Sequence, residues 1–269
     1  MIKQKLTIAL VAVSLIIFSC AKVPISGRKQ VTMVPSSQMM SMSFSQYDQF
    51  LTENKPMPDS DKRTQLVKRV GQRIQVAVEK YMKDNNMSSR IKNYAWDFNL
   101  VDQNMVNAWC MPGGKVVVYT GILPITKTEA GLAVVMGHEI AHAIAKHGNE
   151  RMSQGILAQA GTMSVAAFMR EKPEATQALL MGAIGAGTTV GMLAFGRNQE
   201  GEADKLGMVF MAMAGYQPSE AIPFWERMKA AGGDGGTPEF LSTHPSHDTR
   251  IERIKEWLPT AESYYTKAQ

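Results

Sequence analysis

Residues 126–147 read TKTEAGLAVVMGHEIAHAIAKH, and this stretch decides how the rest of the chain is interpreted. Its apolar residues recur every three or four positions, which predicts a helix, and a Thr-x-x-Glu pattern from Thr126 fits a capping box at its start. His138 and His142 lie four positions apart, so both imidazoles share one helix face and can bind one Zn²⁺. Glu139 is rotated off that line, where its carboxylate can reach a water on the metal.

A catalytic zinc site needs a third protein ligand, and the chain has only five His residues. A carboxylate is the natural candidate, and the sequence Glu200-Gly-Glu-Ala-Asp204 opens a further helical run. Glu200 and Asp204 share a helix face, so one can bind the metal while the other accepts a hydrogen bond from a ligand His. The alternative is that these acids only mark a helix N-terminus, where negative charge is favoured.

The segments before the site helix predict two helices and then strands. Apolar spacing predicts one helix from residue 36 and a second over residues 61–83. Alternation over 96–100 predicts a half-buried strand, and residues 106–111 and 115–120 read as strand, turn and strand. We therefore predict an α+β fold that is mainly helical, with a small antiparallel sheet beside the active-site helix.

Composition excludes several classes of protein. The 269 residues include 45% hydrophobic and 20% charged residues, which is ordinary for a globular protein, and the two Cys residues exclude a disulfide framework. The net charge of +5 comes from basic residues scattered along the chain without interleaved aromatic residues. We expect no nucleic-acid binding.

The N-terminus has the pattern of a secretory signal, with a short basic region and an apolar stretch of 13 residues. The residues up to Cys20 resemble a bacterial lipobox, in which the Cys becomes the first mature residue and carries acyl chains. We expect a signal peptide at 1–19, a lipidated N-terminus and tether at 20–35, and one folded domain at 36–269. The alternative is an N-terminal membrane anchor that is not cut.

The two ligand motifs together resemble the gluzincin zinc metallopeptidase family that includes the CAAX prenyl endoprotease and the HtpX protease. The resemblance is strongest to its exported bacterial lipoprotein branch, which is BepA-like and LoiP-like. Further matches are Pro24-Ile-Ser-Gly-Arg28, Asn107-Ala108 with Pro112-Gly113-Gly114, and Thr243-His244-Pro245-Ser246 with Arg250.

This resemblance implies a zincin-like metallopeptidase domain with one Zn²⁺ per chain, bound by His138, His142 and Glu200. It implies that Glu139 is the general base and that Asp204 lies beside the ligands and orients one of them. It also implies a lipid-anchored protein on the periplasmic side of a bacterial outer membrane. We expect a member without a tetratricopeptide domain, and the oligomeric state is not indicated.

The chemistry suggests how a substrate binds. An extended peptide beside the site helix can pair with a strand through backbone hydrogen bonds, which tolerates many sequences. We expect these contacts at Asn107, Ala108, Val117 and Val118.

The remaining His residues have less certain roles. His244 has three interpretations: a catalytic oxyanion stabiliser, a fourth zinc ligand that closes a latent site, or a turn residue. His147 is expected at the surface, and His247 has no assignment.

Residues 175–196 carry no charge, and we expect small-residue helices at 155–169 and 175–193 that cover the site helix or lie at a membrane surface.

The function expected from these features is that of a membrane-tethered zinc-dependent endopeptidase acting on unfolded or misassembled envelope proteins. One alternative is a chaperone-like envelope binding module with a mainly structural zinc. Another is a lipid-associated membrane protein without chemistry, which predicts no bound metal.

Overall fold

The computed structural model describes residues 20–170, 172–232, 238–244 and 249–265, apart from the side chains of residues 20 and 21. The strands are β1 (Cys20–Lys22), β2 (Lys29–Val31), β3 (Asp97–Val101), β4 (Ala108–Met111) and β5 (Lys115–Tyr119). The helices are α1 (Ser36–Glu53), α2 (Lys62–Asp84), α3 (Leu123–Thr126), α4 (Glu129–Ile144), α5 (His147–Met169), α6 (Glu174–Met213), α7 (Ala221–Ala231), α8 (Glu239–Thr243) and α9 (Arg250–Ser263). The predicted signal peptide at 1–19 and His247 lie outside the described residues.

The predicted α+β class is confirmed, but the sheet is mixed rather than antiparallel. The central strand, β5, pairs in parallel with β3 and antiparallel with β4. After β3 the chain crosses to the far edge of the sheet, forms β4 and returns through a tight turn into the middle. Gly113 and Gly114 make that turn with φ of +93° and +84°, values that favour glycine.

The active-site helix α4 lies in the core, packed against α2 and β4. All of its residues from 131 to 144 are buried. The predicted capping residue is wrong by two positions, because Thr128 caps α4 and its side-chain oxygen accepts a hydrogen bond from Gly131 N at 2.9 Å. Thr126 instead ends α3, where its hydroxyl donates to the Leu123 carbonyl.

Two further predictions about helices are wrong. Glu200 and Asp204 do not open a helix; they lie inside the 40-residue helix α6, because the glycines before them do not interrupt it. The interpretation of these acids as a helix N-terminus is thereby excluded. His147 is not on the surface either: it is buried and begins α5, since Lys146 leaves α4 with a left-handed φ of +57°.

The chain forms two compact units. One comprises the described parts of residues 1–36 and 146–199, and the other those of residues 37–145 and 200–269. In the first unit, the segment predicted as a tether is folded: β1 pairs with β2, and Arg28 forms an ion pair with Glu150 of α5 at 2.8 Å. By length and composition, α6 is the one helix among the described residues that could cross a membrane.

Candidate metal centre

The second unit brings the predicted ligands together. The Nε2 atoms of His138 and His142, on α4, are 3.1 Å apart. The Glu200 carboxylate, on α6, lies 3.3 Å from His138 Nε2 and 3.4 Å from His142 Nε2. All three side chains are buried.

A close backbone contact between α4 and α6 makes this geometry possible. A Cβ added at Gly207 would lie 2.8 Å from the peptide nitrogen of His138. A Cβ added at Gly137 would lie 2.9 Å from the Gly207 carbonyl oxygen. Only glycine at both positions lets the helices approach this closely, and this approach places Glu200 against the imidazoles.

The donor atoms fit a zinc ion. Zinc bonds to nitrogen or oxygen at about 2.1 Å, so ligand atoms in a tetrahedral site lie about 3.4 Å apart, close to the separations found here. His138 Nδ1 lies 2.9 Å from an Asp204 carboxylate oxygen, which can only accept a hydrogen bond, so Nδ1 carries the proton. His138 Nε2 therefore points into the cluster, where a proton or a metal cation on it relieves the repulsion with His142 and Glu200.

The buried charges are arranged to hold a cation. Burial alone would raise the pKa of Glu200, but the neighbouring imidazoles of His142, His138 and His244 lower it, so its carboxylate is ionised. Burial alone would lower the pKa of His138, yet the carboxylates of Asp204 and Glu200 outweigh it and raise this pKa to about 9. Ionised carboxylates thus lie beside the imidazole nitrogens, and this favours a positive charge at the cluster.

Glu139 is buried beside the cluster with an unsatisfied carboxylate oxygen. Among the described residues, its Oε1 has no hydrogen-bond partner, and His244 Nε2 lies 3.4 Å away. Burial raises the pKa of Glu139. An unpaired oxygen on a buried carboxylate beside a metal site is suited to receive a water molecule.

Arg250 was missed as a site residue, because the sequence showed it only as part of a matched motif. It lies at the start of α9 and makes two hydrogen bonds of 2.8 Å to the carboxylate of Asp204. Its guanidinium also stacks 3.5 Å from the ring centroid of Trp225 on α7. Burial alone would raise the pKa of Asp204, but Arg250 and His138 lower it. A buried carboxylate needs a positively charged partner, so Asp204 implied that a basic side chain lies beside it. This argument could not identify Arg250 among the basic residues of the chain.

His244 follows α8 and reaches the cluster. Its Nδ1 lies 3.0 Å from a Glu200 oxygen, and its peptide nitrogen donates to the Phe240 carbonyl. Nitrogen or oxygen atoms of His138, His142, Glu200 and His244 all lie within 4.8 Å of one another.

The predicted peptide-binding strand needs correction. Val117 and Val118 are buried in β5, whose backbone pairs with a strand on each side, so they cannot pair with a substrate. Ala108 begins the edge strand β4, which packs against α4. Asn107 precedes it, and its side-chain oxygen accepts a hydrogen bond from Ala108 N at 2.8 Å. Of the two edge strands, β4 packs against α4, so a peptide that extends the sheet beside the site helix would pair with β4.

Comparison with known proteins agrees with this geometry. Residues 68–258 match the family model for peptidase family M48. The chain is 34% identical to mitochondrial metalloendopeptidase OMA1 of Schizosaccharomyces pombe over 89% of its own length and 67% of the relative. It is 29% identical to the mitochondrial metalloendopeptidase OMA1 of Homo sapiens, covering 88% of this chain and 46% of that protein.

A bacterial relative is also similar. The chain is 29% identical to the beta-barrel assembly-enhancing protease of Escherichia coli (strain K12), covering 62% of this chain and 36% of that protein. The chain thus spans two thirds of the fission-yeast relative and less than half of the human and bacterial ones. From the family match and the cluster at the crossing of α4 and α6, the chain belongs to peptidase family M48 and is a zinc metalloendopeptidase.

Proposed function

We propose that this protein is a membrane-tethered zinc endopeptidase that cleaves misfolded or misassembled proteins of the cell envelope. The observation that carries the proposal is the convergence of His138, His142 and Glu200 beside the unpaired carboxylate oxygen of Glu139. In this proposal the first three hold one zinc ion per chain, and Glu139 is the general base.

When bound, zinc polarises the scissile carbonyl and lowers the pKa of water towards neutrality. The chain supplies orientation and proton transfer. Asp204 accepts from His138 Nδ1 and is itself held by two hydrogen bonds from Arg250, so the imidazole is fixed in one tautomer. This buried chain of contacts prevents His138 from rotating away from His142 and Glu200.

Glu139 moves the proton. Its Oε1 accepts a proton from the attacking water and then delivers it to the amine nitrogen of the leaving peptide. The raised pKa that burial gives this carboxyl brings it closer to neutrality, which favours both acceptance and return of the proton.

The position of His244 is compatible with two roles, one in an active enzyme and one in a closed metal site. With its Nε2 3.4 Å from Glu139 it is placed to donate to the oxyanion of the transition state. With its Nδ1 3.0 Å from Glu200 it is also placed to be a fourth metal ligand. Four protein ligands are typical of structural zinc, so the second role favours a latent enzyme or a chaperone-like binding module.

The proposed substrate class and cellular location are supported by observations other than the metal cluster. An extended peptide adding to the edge of β4 would lie beside α4 and be recognised through its backbone, which suits unfolded chains. The name of the Escherichia coli relative, a beta-barrel assembly-enhancing protease, supports a role in the bacterial envelope. We place the protein in the exported lipoprotein branch, with a signal peptide at 1–19, a lipid on Cys20, a catalytic domain at 36–269 and a site on the periplasmic side of the outer membrane.

Replacement of the general base tests the proposal. We expect Glu139→Gln to reduce casein hydrolysis about 100-fold or more while zinc content and folding stay unchanged. Glu79→Gln, on the exposed side of α2, is the control and should keep full activity, and a chelator should abolish activity in both the wild type and the control. A binding module with structural zinc would keep its function in Glu139→Gln, so retained function contradicts the endopeptidase mechanism.

A further inference from the structure

The first unit contains a pair of helices that form a hairpin. At one end, the Gln199 side chain on α6 contacts Glu150 at 2.9 Å and Arg151 at 3.2 Å, both near the start of α5. At the other end, α5 stops at Met169 and α6 begins at Glu174. The helices are thus closed at both ends and run antiparallel, and residues 147–199 are called the apolar hairpin below.

Between its two ends, the apolar hairpin carries no charge, and nearly all of its residues there are exposed or half-buried. No charged residue occurs in the 18 positions of 152–169 or in the 22 positions of 175–196. Of the 15 large hydrophobic side chains exposed in the described structure, ten lie on these two helices. A soluble protein rarely leaves such a contiguous apolar surface uncovered, so a partner is required.

The apolar side chains surround α6 rather than forming a stripe. At 100° per residue, Leu179, Leu180, Val190, Met192 and Leu193 point in directions spread around the whole helix. An interfacial helix needs one polar face, and a helix that binds a protein partner needs one apolar face. A helix that is apolar all round fits a medium that surrounds it.

The dimensions match a lipid bilayer. Twenty-two helical residues extend roughly 33 Å and eighteen roughly 27 Å, against a hydrocarbon thickness of about 30 Å. Charged residues lie just outside both stretches: Arg151 and Arg197 at the base, and Arg170, Lys172 and Glu174 at the tip. This is the pattern expected when the ends of the hairpin meet the two polar surfaces of a membrane.

Three hydroxyl groups within the hairpin are satisfied by its own backbone. The hydroxyls of Thr162, Ser164 and Thr189 each donate to the carbonyl four residues earlier, at 2.8 to 2.9 Å. Such bonds remove the cost of placing a hydroxyl in hydrocarbon, where no water is present.

We propose that the apolar hairpin inserts into the hydrocarbon core of a bilayer and that residues 175–196 cross it. Lipid acyl chains then cover the apolar side chains of the hairpin. The hairpin attaches the protein to the membrane independently of any lipid on Cys20. The folded N-terminal segment supports this arrangement, because Arg28 contacts Glu150 and Met33 N contacts Ser153 at the base of the hairpin. An N-terminal lipid and the hairpin would therefore enter the same membrane surface.

The depth of labelled side chains tests the proposal. The full chain, with Cys20→Ser and Cys110→Ser, receives one new cysteine as Val190→Cys, Lys172→Cys or Lys83→Cys. Each variant is labelled with the environment-sensitive dye NBD and mixed with phosphatidylcholine–phosphatidylglycerol vesicles. The parent without an added cysteine gives the background. We expect the probe at 190 to shift to the blue and to lose most of its emission to lipids brominated deep in the acyl chain. The probe at 172 should respond to lipids brominated near the headgroup, and the probe at 83, on the exposed face of α2, to neither.

A second pair of variants separates insertion from folding. Leu180→Asp combined with Val190→Asp places charges at exposed positions and should abolish insertion while zinc content is unchanged, whereas Lys83→Asp should insert like the wild type. The proposal is overturned if the probe at 190 is quenched by aqueous iodide as strongly as the probe at 83. It is equally overturned if the probe is already blue-shifted in a soluble oligomer and vesicles change nothing, since another copy of the chain then covers the hairpin.

Discussion

At the residue scale, the spacing of His138, Glu139 and His142 predicts their geometry because α-helical positions i and i+4 share a face. The structure confirms that both imidazoles meet, at 3.1 Å between their Nε2 atoms. The residue pattern alone left Glu200 and Asp204 as candidates for the third ligand, since no local rule sets the distance between two helices, and the family resemblance assigned Glu200. Arg250 could not be predicted, because its contact with Asp204 joins residues 46 positions apart.

Two acids near one another on α6 allow a matched test of the third ligand. Glu200 contacts both imidazoles, whereas Glu202, two positions on, is not part of the metal-ligand cluster. We expect Glu200→Gln to lose most of its zinc and its activity, because an amide is a poor zinc ligand. Glu202→Gln should keep both when zinc per chain is measured by atomic absorption. Equal zinc content in the two variants would mean that Glu200 is not a ligand.

The contact between Asp204 and His138 gives a second prediction. In Asp204→Asn the amide can present either its oxygen or its NH2 group to His138 Nδ1, and the buried Arg250 guanidinium keeps only the more distant Glu200 carboxylate, at 3.6 Å. We expect zinc affinity to fall about 10- to 100-fold while zinc still binds. Competition with a chromophoric chelator measures this change, with Glu79→Gln as the control. A loss of zinc as complete as in Glu200→Gln would instead make Asp204 a ligand.

At the scale of elements, periodicity predicted most helices and strands but not their pairing. The residue patterns of β3 and β5 are the same whether these strands pair parallel or antiparallel, so the mixed sheet could not be predicted without the path of the chain. Nothing in the sequence of α6 distinguishes one long helix from two, since glycine permits both. Gly137 and Gly207 permit the close contact between α4 and α6, but this role cannot be recognised until the packing of the two helices is known.

The close contact of α4 and α6 predicts the effect of one methyl group. In Gly207→Ala the new Cβ would meet the His138 peptide nitrogen at 2.8 Å, so the helices must separate. We expect a loss of about 1–3 kcal/mol in the free energy of unfolding and a clear drop in zinc affinity. Gly155→Ala, where nothing lies within 4 Å, should be neutral or stabilising by up to about 1 kcal/mol. Urea unfolding compares the two, and similar effects would rule out a steric cause.

At the scale of the whole molecule, the units interleave in sequence, and this organisation could not be predicted. Contiguous boundaries at 20–35 and 36–269 follow from composition along the chain, whereas compact units depend on which segments meet in space. The segment at 20–35 shows the difference. Its Pro, Ser and Gly residues are typical of a linker, yet it folds against α5 through a contact 122 positions distant in sequence.

That contact gives a prediction about the first unit. The two terminal guanidinium nitrogens of Arg28 donate to the carboxylate oxygens of Glu150 at 2.8 Å, and Gln199 donates to the same carboxylate at 2.9 Å. The Glu150 side chain is only 4% exposed, whereas that of Arg28 is 31% exposed. Removing the arginine leaves a buried negative charge with one neutral partner, and a buried charge without its counter-ion is costly.

We expect Arg28→Ala to lower the free energy of unfolding of this unit by about 1–3 kcal/mol, less than for a fully buried pair because water still reaches the arginine. The more exposed pair Arg63 and Asp61 supplies the control, and Arg63→Ala should lower stability much less than Arg28→Ala does. Adding Glu150→Gln to Arg28→Ala should recover part of the loss, since no buried charge then remains. Hydrogen exchange of the amides in β2 measures each variant. Exchange in Arg28→Ala as slow as in Arg63→Ala would mean that the N-terminal segment is held to α5 by something other than this ion pair.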